Sequence, residues 1–431
     1  MLKPSSALLH SCTPVLLILT IVLLLTGCRR SYEHRTVVCI PVYGQSLALG
    51  EEAQRITDFD SLAAFAGGRI VTENLDHSFG CFDESSVKQW TKKLVGYHKR
   101  SFELSVYAMA ETLATFLGED TLVCVFPGGR GATAISSLGR GSDPYQRLLD
   151  DIGDALNEAR SRGWDFVVPA VCWMQGESDI ADYEGTCYEQ RLSQFCEDIN
   201  RDVLTLTGQQ DSVRIICYQS TSITKGTRFR ATEANSAEAQ VPMSQLRLLQ
   251  NHPLFWVSGP TYPYDCVGEV VHIDAHGQRC MGRLAALSAL DIIHHDKERR
   301  RGLLPVNVSR LDGDSCTLAV AMNVPCLPLQ IDTLVVRAAP HFGFSVITPD
   351  GRDVASDVRL SSDTVYVSCL EPVPDGSHIH YGLLGEPMKS GRRNGPRGNL
   401  RDSQGDGLPA VFEEQGQPSH NWCLLFDLPI P

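Results

Sequence analysis

The sequence predicts an α/β protein, a three-layer α/β/α sandwich around a parallel sheet, followed by a smaller β-rich domain. Two patterns carry that expectation. Short, continuous apolar runs alternate with longer amphipathic stretches up to residue 295, and unbroken apolar runs belong to parallel strands covered on both faces. Beyond residue 302 the long amphipathic stretches give way to short alternating ones separated by Pro, Gly and Asp, the pattern of antiparallel strands in a small sandwich.

In chain order, the strands are expected at 36–42 (TVVCIPV), 121–126 (TLVCVF), 165–173 (DFVVPAVCW) and 213–218 (VRIICY). The helices fall at 103–117, 144–162, 184–207, 240–250 and 276–295. The charged run Asp296 to Gly302 reads as an exposed junction, which divides the chain into an α/β domain at 36–295 and a β-rich domain at 303–431. Within the latter, 315–322 and 362–369 alternate as strands do, whereas the basic, glycine-rich stretch Lys389–Arg401 reads as a solvated loop.

The chain has 431 residues, of which 43% are hydrophobic, enough for real cores. Its 38 Lys and Arg stand against 51 Asp and Glu, a formal charge of −13. That sign excludes binding to a polyphosphate backbone by bulk electrostatics, so no nucleic-acid partner is expected. Of the 15 cysteines, Cys39, Cys124, Cys172 and Cys217 sit inside apolar runs, where Cys packs as a small hydrophobe. There is no CxxC pair and no His/Cys cluster at zinc-ligand spacing, so neither a structural nor a catalytic metal is expected.

The N-terminus reads as an address. Residues 14–27 form an apolar run preceded by Lys3 and followed by Cys28-Arg29-Arg30, short for a membrane span and suited to a signal peptide. Leu25-Thr26-Gly27-Cys28 resembles the lipobox of bacterial lipoproteins. That resemblance implies a signal peptide at 1–27, lipidation at Cys28, a tether at 28–35 and a lipid-anchored place in the bacterial cell envelope. A weak transmembrane anchor is the alternative, and it too keeps the globular part outside the cytoplasm.

In open parallel sheets, ligands bind beyond the carboxyl ends of the strands, and three such ends are rich in chemistry. The first strand runs into Gly44-Gln45-Ser46-Leu47-Ala48-Leu49-Gly50, a turn able to present a serine hydroxyl with its own N–H. The strand at 165–173 opens into Trp173-Met174-Gln175-Gly176-Glu177-Ser178-Asp179, offering an amide donor and two carboxylates. Before the last long helix comes Glu269-Val270-Val271-His272-Ile273-Asp274-Ala275-His276-Gly277. A carboxylate three residues ahead of a histidine can bond the imidazole and fix its tautomer.

Together these segments resemble the SGNH hydrolases, and more narrowly their sialate O-acetylesterase and carbohydrate esterase family six branch. That branch carries blocks much like GQSNMAG, WHQGESD and DxVHLxxxGxxxxG; here they read GQSLALG, WMQGESD and EVVHIDAHGQRCMG, and the resemblance covers about residues 36–295. It implies a flavodoxin-like fold and a cofactor-free serine esterase that removes acetyl groups from a carbohydrate such as sialic acid. Ser46 falls on the nucleophile and His272 on the base; His276 is expected to be an exposed residue at the helix start. The oxyanion donors would be the N–H groups of Ser46 and of Gly131, which lies in a GGRGATAI stretch similar to the family's GGTSI loop, with the Gln175 amide. Glu177 would fix its loop. The family's Asp is Glu269 here, so either Glu269 or Asp265 would complete the triad. Rival readings are a lipase or thioesterase of the same superfamily, and a glycan-binding lipoprotein without catalysis.

Overall fold

The computed structural model describes residues 34–65, 67–73, 79–80, 102–182, 187–222, 237–269, 271–295, 302–386, 389–409 and 412–431. The expected signal peptide and Cys28, and most of the 296–302 junction, lie outside the described residues. No helix among the described residues is long and apolar enough to cross a membrane.

The α/β part begins with β1 (Thr36–Cys39) and β2 (Val42–Gly44), then α1 (Phe59–Phe65), β3 (Ile70–Glu73), β4 (Phe79–Gly80) and α2 (Ser105–Phe116). It continues through β5 (Thr121–Cys124), β6 (Pro127–Gly129), α3 (Asp143–Ser161), β7 (Asp165–Val167) and β8 (Ala170–Met174). The remaining elements are α4 (Glu177–Asp182), α5 (Tyr188–Thr207), β9 (Arg214–Gln219), α6 (Ala237–Asn251), β10 (Phe255–Pro260) and α7 (Ala275–Ile293). The expected strands at 36–42, 121–126 and 165–173 are each split in two by a short irregularity. The backbone ladder crosses it, with Ile40 N donating to Cys124 O, Val42 N to Phe126 O and Cys172 N to Pro41 O.

The parallel succession across the sheet is therefore β3, β5/β6, β1/β2, β7/β8, β9, β10. Successive side chains of the central strand face opposite layers. Val37, Cys39 and Tyr43 join α3, α5 and α6 in one core, whereas Val38, Ile40 and Val42 join α2 and α7 in the other. The helices start and stop where capping chemistry requires. Ser142 accepts from Tyr145 N ahead of α3, Gly208 ends α5 at φ 77°, and Asp274 accepts from Gly277 N ahead of α7. The sequence reading missed β3, which has only four residues, and β10, whose apolar run Phe255-Trp256-Val257 is cut by Ser-Gly-Pro.

The C-terminal part is all-β apart from short helical turns. A four-stranded antiparallel sheet contains β11 (Leu304–Leu311), β12 (Asp314–Asn323), β15 (Ala355–Ser361) and β16 (Thr364–Cys369). Here β12 and β16 are the two stretches expected from alternation. A two-stranded ladder joins β13 (Gln330–Ile331) to β18 (Leu400–Arg401), and a third sheet orders β14 (Phe344–Ile347), β17 (His378–Tyr381) and β19 (Phe426–Pro429).

This part shares a buried core with the α/β sandwich. Gln219, at the end of β9, donates to Leu425 O at 2.9 Å and accepts from Leu425 N at 2.7 Å. The Tyr262 hydroxyl meets Cys423 O at 3.0 Å and the Tyr381 hydroxyl at 3.2 Å.

The stretch Lys389–Arg401, expected to be a solvated loop, is largely buried from Gly395 onward. Arg397 spends its guanidinium on the carbonyls of Arg337, Gly395 and Ala338, so a basic, polar sequence is internal because it satisfies backbone acceptors. The cysteines within apolar runs are buried free thiols, as expected. Burial pushes the Cys172 thiol up to about 12, which leaves it unreactive.

Candidate active site

The central strand has β5/β6 on one side and β7/β8 on the other, so the crevice where the sheet order reverses opens at the carboxyl end of β2. Three loops converge there. Gly44 ends β2 so close to β8 that a Cβ would lie 2.0 Å from Met174 O, and only glycine allows that approach. Gln45 N then donates to Met174 O at 3.0 Å, while its side-chain oxygen accepts from Gly176 N and Ser178 N at 3.4 and 3.2 Å. The nucleophile turn and the Gln175–Asp179 loop are thereby sewn together. The tight turn from Ser46 is closed by Leu49 N to Ser46 O and Gly50 N to Leu47 O.

Ser46 Oγ lies 2.8 Å from His272 Nε2. His272 sits on a narrow loop that folds back on itself, with Val267 N donating to His272 O and Asp274 N to Asp265 O. Helix α7 ties this loop to the serine turn through Gln278 Nε2, which donates to Leu47 O at 2.9 Å.

The second imidazole nitrogen, Nδ1, meets Glu52 Oε2 at 2.7 Å. Asp265, one of the two acids expected to complete the triad, does not hold this place. Asp265 is taken up instead by Arg392 at 2.6 Å and by Arg393 at 2.9 and 3.0 Å; the Arg393 bonds and then those of Arg392 hold its carboxyl down at about 2. The side chain of Glu269 lies outside the described residues, and the carboxylate found on His272 Nδ1 is that of Glu52.

Sequence reasoning missed Glu52 because its only local signal is an acidic pair after the serine block. What places it is remote. Its backbone adopts φ 67°, and the loop behind it is pinned by buried Glu103, which accepts from Ile56 N and Thr57 N, each at 2.8 Å, and from the Thr57 hydroxyl at 2.5 Å. Arg279 of α7 braces the same spot through Thr57 Oγ1 and Glu103.

The expected oxyanion donors separate into two groups. Gly131 stands beside the nucleophile, since a Cβ there would come within 3.9 Å of Ser46 Cβ. Among the described residues, neither the Ser46 nor the Gly131 amide donates to a backbone acceptor. The side chain of Gln175 departs from expectation: its amide group donates to Thr133 O at 3.3 Å and to the Asp179 carboxylate. With two protons, that amide has none left for an oxyanion. Asp179 in turn accepts from Ile135 N at 3.0 Å, so Gln175 and Asp179 brace the Gly131 loop from behind.

Glu177, 5% exposed, accepts from Tyr218 OH at 2.5 Å and Ser220 Oγ at 2.7 Å. Burial raises its pKa despite these bonds and the nearby His272; the two bonds tie its loop to the end of β9. His276, expected to be exposed, is partly buried against Glu414 at 2.8 Å. Glu414 also holds Arg279 and Arg283, so the C-terminal part clamps the helix that carries the histidine loop.

A parallel α/β/α sheet with a serine–histidine contact at its switch point is the arrangement of a serine hydrolase. Residues 101–291 match the family described as carbohydrate esterase, sialic acid-specific acetylesterase. On that match the chain is a carboxylic ester hydrolase, a carbohydrate O-acetylesterase. The match takes in Gly131, Gln175, Glu177 and His272, whereas Ser46 and Glu52 precede it.

Among solved structures, the chain resembles a carbohydrate acetylesterase from Xanthomonas citri at 15% identity, with a TM-score of 0.59 over 90% of this chain and 80% of that one. That coverage extends the likeness in fold into the C-terminal part. A protein from Arabidopsis thaliana aligns at 18% identity and TM-score 0.44 over 59% of this chain and 98% of its own. NanS aligns at 14% and 0.40 over 62% and 99%. No curated protein matches the chain.

Proposed function

We propose that the chain removes O-acetyl groups from a carbohydrate, sialic acid or another acetylated glycan, through an acetyl-serine intermediate on Ser46. The observation that carries this reading is the 2.8 Å contact between Ser46 Oγ and His272 Nε2. His272 takes the hydroxyl proton as Oγ attacks the acetyl carbonyl, and Glu52 on Nδ1 holds the tautomer and stabilises the imidazolium. The amides of Ser46 and Gly131 receive the tetrahedral oxyanion, and the loss of one such donor typically costs about 3 to 4 kcal/mol of transition-state stabilisation. As the C–O bond to the sugar breaks, His272 gives its proton to the leaving sugar oxygen, which departs as a hydroxyl, and water deacylates the enzyme with the same base. The assembled serine–histidine–glutamate array supports catalysis over binding alone.

The lipobox-like Leu25–Cys28 supports a lipid-anchored location in the bacterial cell envelope, where polymeric glycans are met. A Cys28→Ala variant expressed in its host tests that part: loss of membrane association is expected, and unchanged membrane association would overturn it.

The central test is acetate release from an acetylated chromogenic ester by the chain from residue 29, beside Ser46→Ala and His272→Ala. Both variants should lose nearly all activity, with acetyl preferred over long acyl chains and with release from an acetylated glycan panel. A preference for long chains would favour the lipase reading. Folded protein that binds glycans but releases no acetate would overturn the esterase mechanism.

A further inference from the structure

Two imidazoles and a carboxylate converge in the C-terminal part, on strands that carry none of the site described above. His378 and His380 alternate along β17, so both point to one face of the sheet. Asp427 of β19 stands directly opposite His380 in the antiparallel register. His378 Nδ1 lies 2.6 Å from Asp427 Oδ1 and His380 Nε2 lies 3.3 Å from the same oxygen, with all three donor atoms within 4.8 Å of one another.

We propose that His378, His380 and Asp427 bind a divalent transition-metal cation, with zinc the best match. Two neutral imidazoles and one carboxylate are a donor set that zinc accepts, and bonds of about 2.0 to 2.2 Å place tetrahedral ligand atoms roughly 3.3 Å apart. The His380–Asp427 separation already has that value, and His378, about one-third exposed, has room to withdraw by a fraction of an ångström. His380 and Asp427 are 2% and 5% exposed, so solvent reaches the cluster from the His378 side. This suits a four-coordinate ion completed by one water better than the several open positions of a ferrous oxygenase centre.

A second observation points the same way. His380 Nδ1 and Ser345 Oγ are both buried without a hydrogen-bond partner, and these residues are register partners across β14 and β17. Rotation of the Ser345 hydroxyl toward the ring would let it accept Nδ1–H, fixing the tautomer that presents the Nε2 lone pair to a metal. Without a metal, both imidazoles must direct N–H at one carboxylate oxygen while two buried polar atoms stay unpaired. The site would clip β19 to β17 just beyond Leu425, whose backbone Gln219 of the α/β part grips.

The test uses the full chain, stripped with EDTA and titrated with zinc chloride by calorimetry, with Tm followed in parallel. A single saturable equivalent and a raised Tm are expected, together with the intense visible bands of a tetrahedral centre when cobalt replaces zinc. His378→Gln, at the accessible edge, and Asp427→Asn should each weaken zinc binding at least about tenfold. Metal-free His378→Gln should keep wild-type esterase activity. Absence of saturable zinc binding in the wild type would overturn the proposal, and so would unchanged binding in His378→Gln. Since His378 is partly exposed, that variant remains informative even if Asp427→Asn misfolds.

Discussion

Glu52 and His272, 220 positions apart in the chain, meet at 2.7 Å through Oε2 and Nδ1. One turn after β2 therefore supplies both the hydroxyl that His272 contacts and the carboxylate that orients the ring. Glu52→Gln keeps the shape and removes the charge, and it is expected to lower kcat/KM. The buried carboxylate of a serine-protease triad contributes about 10⁴ in kcat. The Glu52 side chain is 55% exposed, so a smaller loss of roughly 10 to 10³-fold is expected, carried by kcat. Glu269→Gln should stay within about twofold of wild type. Steady-state kinetics on one acetyl ester decide the matter, and the reverse ranking would return the role to Glu269.

The strand ends were legible because burial on both faces writes itself as unbroken apolar runs. Ser46, Gly131, Gln175 and His272 were legible because each follows such a run or precedes a helix. Glu52 was not, since its position depends on Glu103 and Arg279 gripping the intervening loop, contacts between segments that no local pattern announces. The opposite failure befell Gln175: the motif placed it correctly at the end of β8, but its donors are consumed by Thr133, in the Gly131 loop, and by Asp179 of α4. Arg397 misled for a related reason, because composition marks a basic stretch as wet and cannot count the carbonyls waiting for it.

Asp179 offers a test of that bracing role. It is fully buried and accepts from Ile135 N and from Gln175 Nε2. Asp179→Ala leaves both donors without that acceptor, at about 1 to 3 kcal/mol for each buried group, so a stability loss of roughly 2 to 6 kcal/mol is expected by urea denaturation. The Gly131 loop would loosen with it, lowering kcat about 10 to 100-fold while KM changes little. A destabilised variant with full kcat would show that the loop needs no brace.

Asp265 makes a prediction in acid. Its carboxyl is held at about 2 by Arg393 and Arg392, against an ordinary value of 3.8. Because the folded state releases this proton more readily than the unfolded chain, the contribution to stability is complete above pH about 4 and disappears as pH falls toward 2. Arg393 is 70% exposed, so solvent screening trims the contribution to about 1 to 2 kcal/mol. Denaturation of wild type and of the Arg392→Ala/Arg393→Ala variant should converge on acidification across that window. Parallel profiles would count against the ion pairs as the cause.

The buried C-terminal stretch can be tested at Asn399, which is fully buried. Its side-chain amide donates to Asp332 O at 3.0 Å and Val336 O at 2.8 Å, and its oxygen accepts from Ala339 N at 2.8 Å. Those bonds close the 332–339 segment over the strand that pairs with β13. Asn399→Ala removes all three and leaves backbone groups buried without these partners, each worth about 1 to 3 kcal/mol. A loss of at least about 3 kcal/mol is expected, large enough to lower Tm by several degrees. Asn399→Asp should fare little better, because a carboxylate keeps the bond to Ala339 N but faces two carbonyl oxygens with no proton to give. Since Gln219 and Tyr262 bond to this part across the shared core, the transition should remain a single cooperative one, seen alike by tryptophan fluorescence and by loss of esterase activity. Early melting of the C-terminal sheets with activity intact would mean that they fold as an independent module.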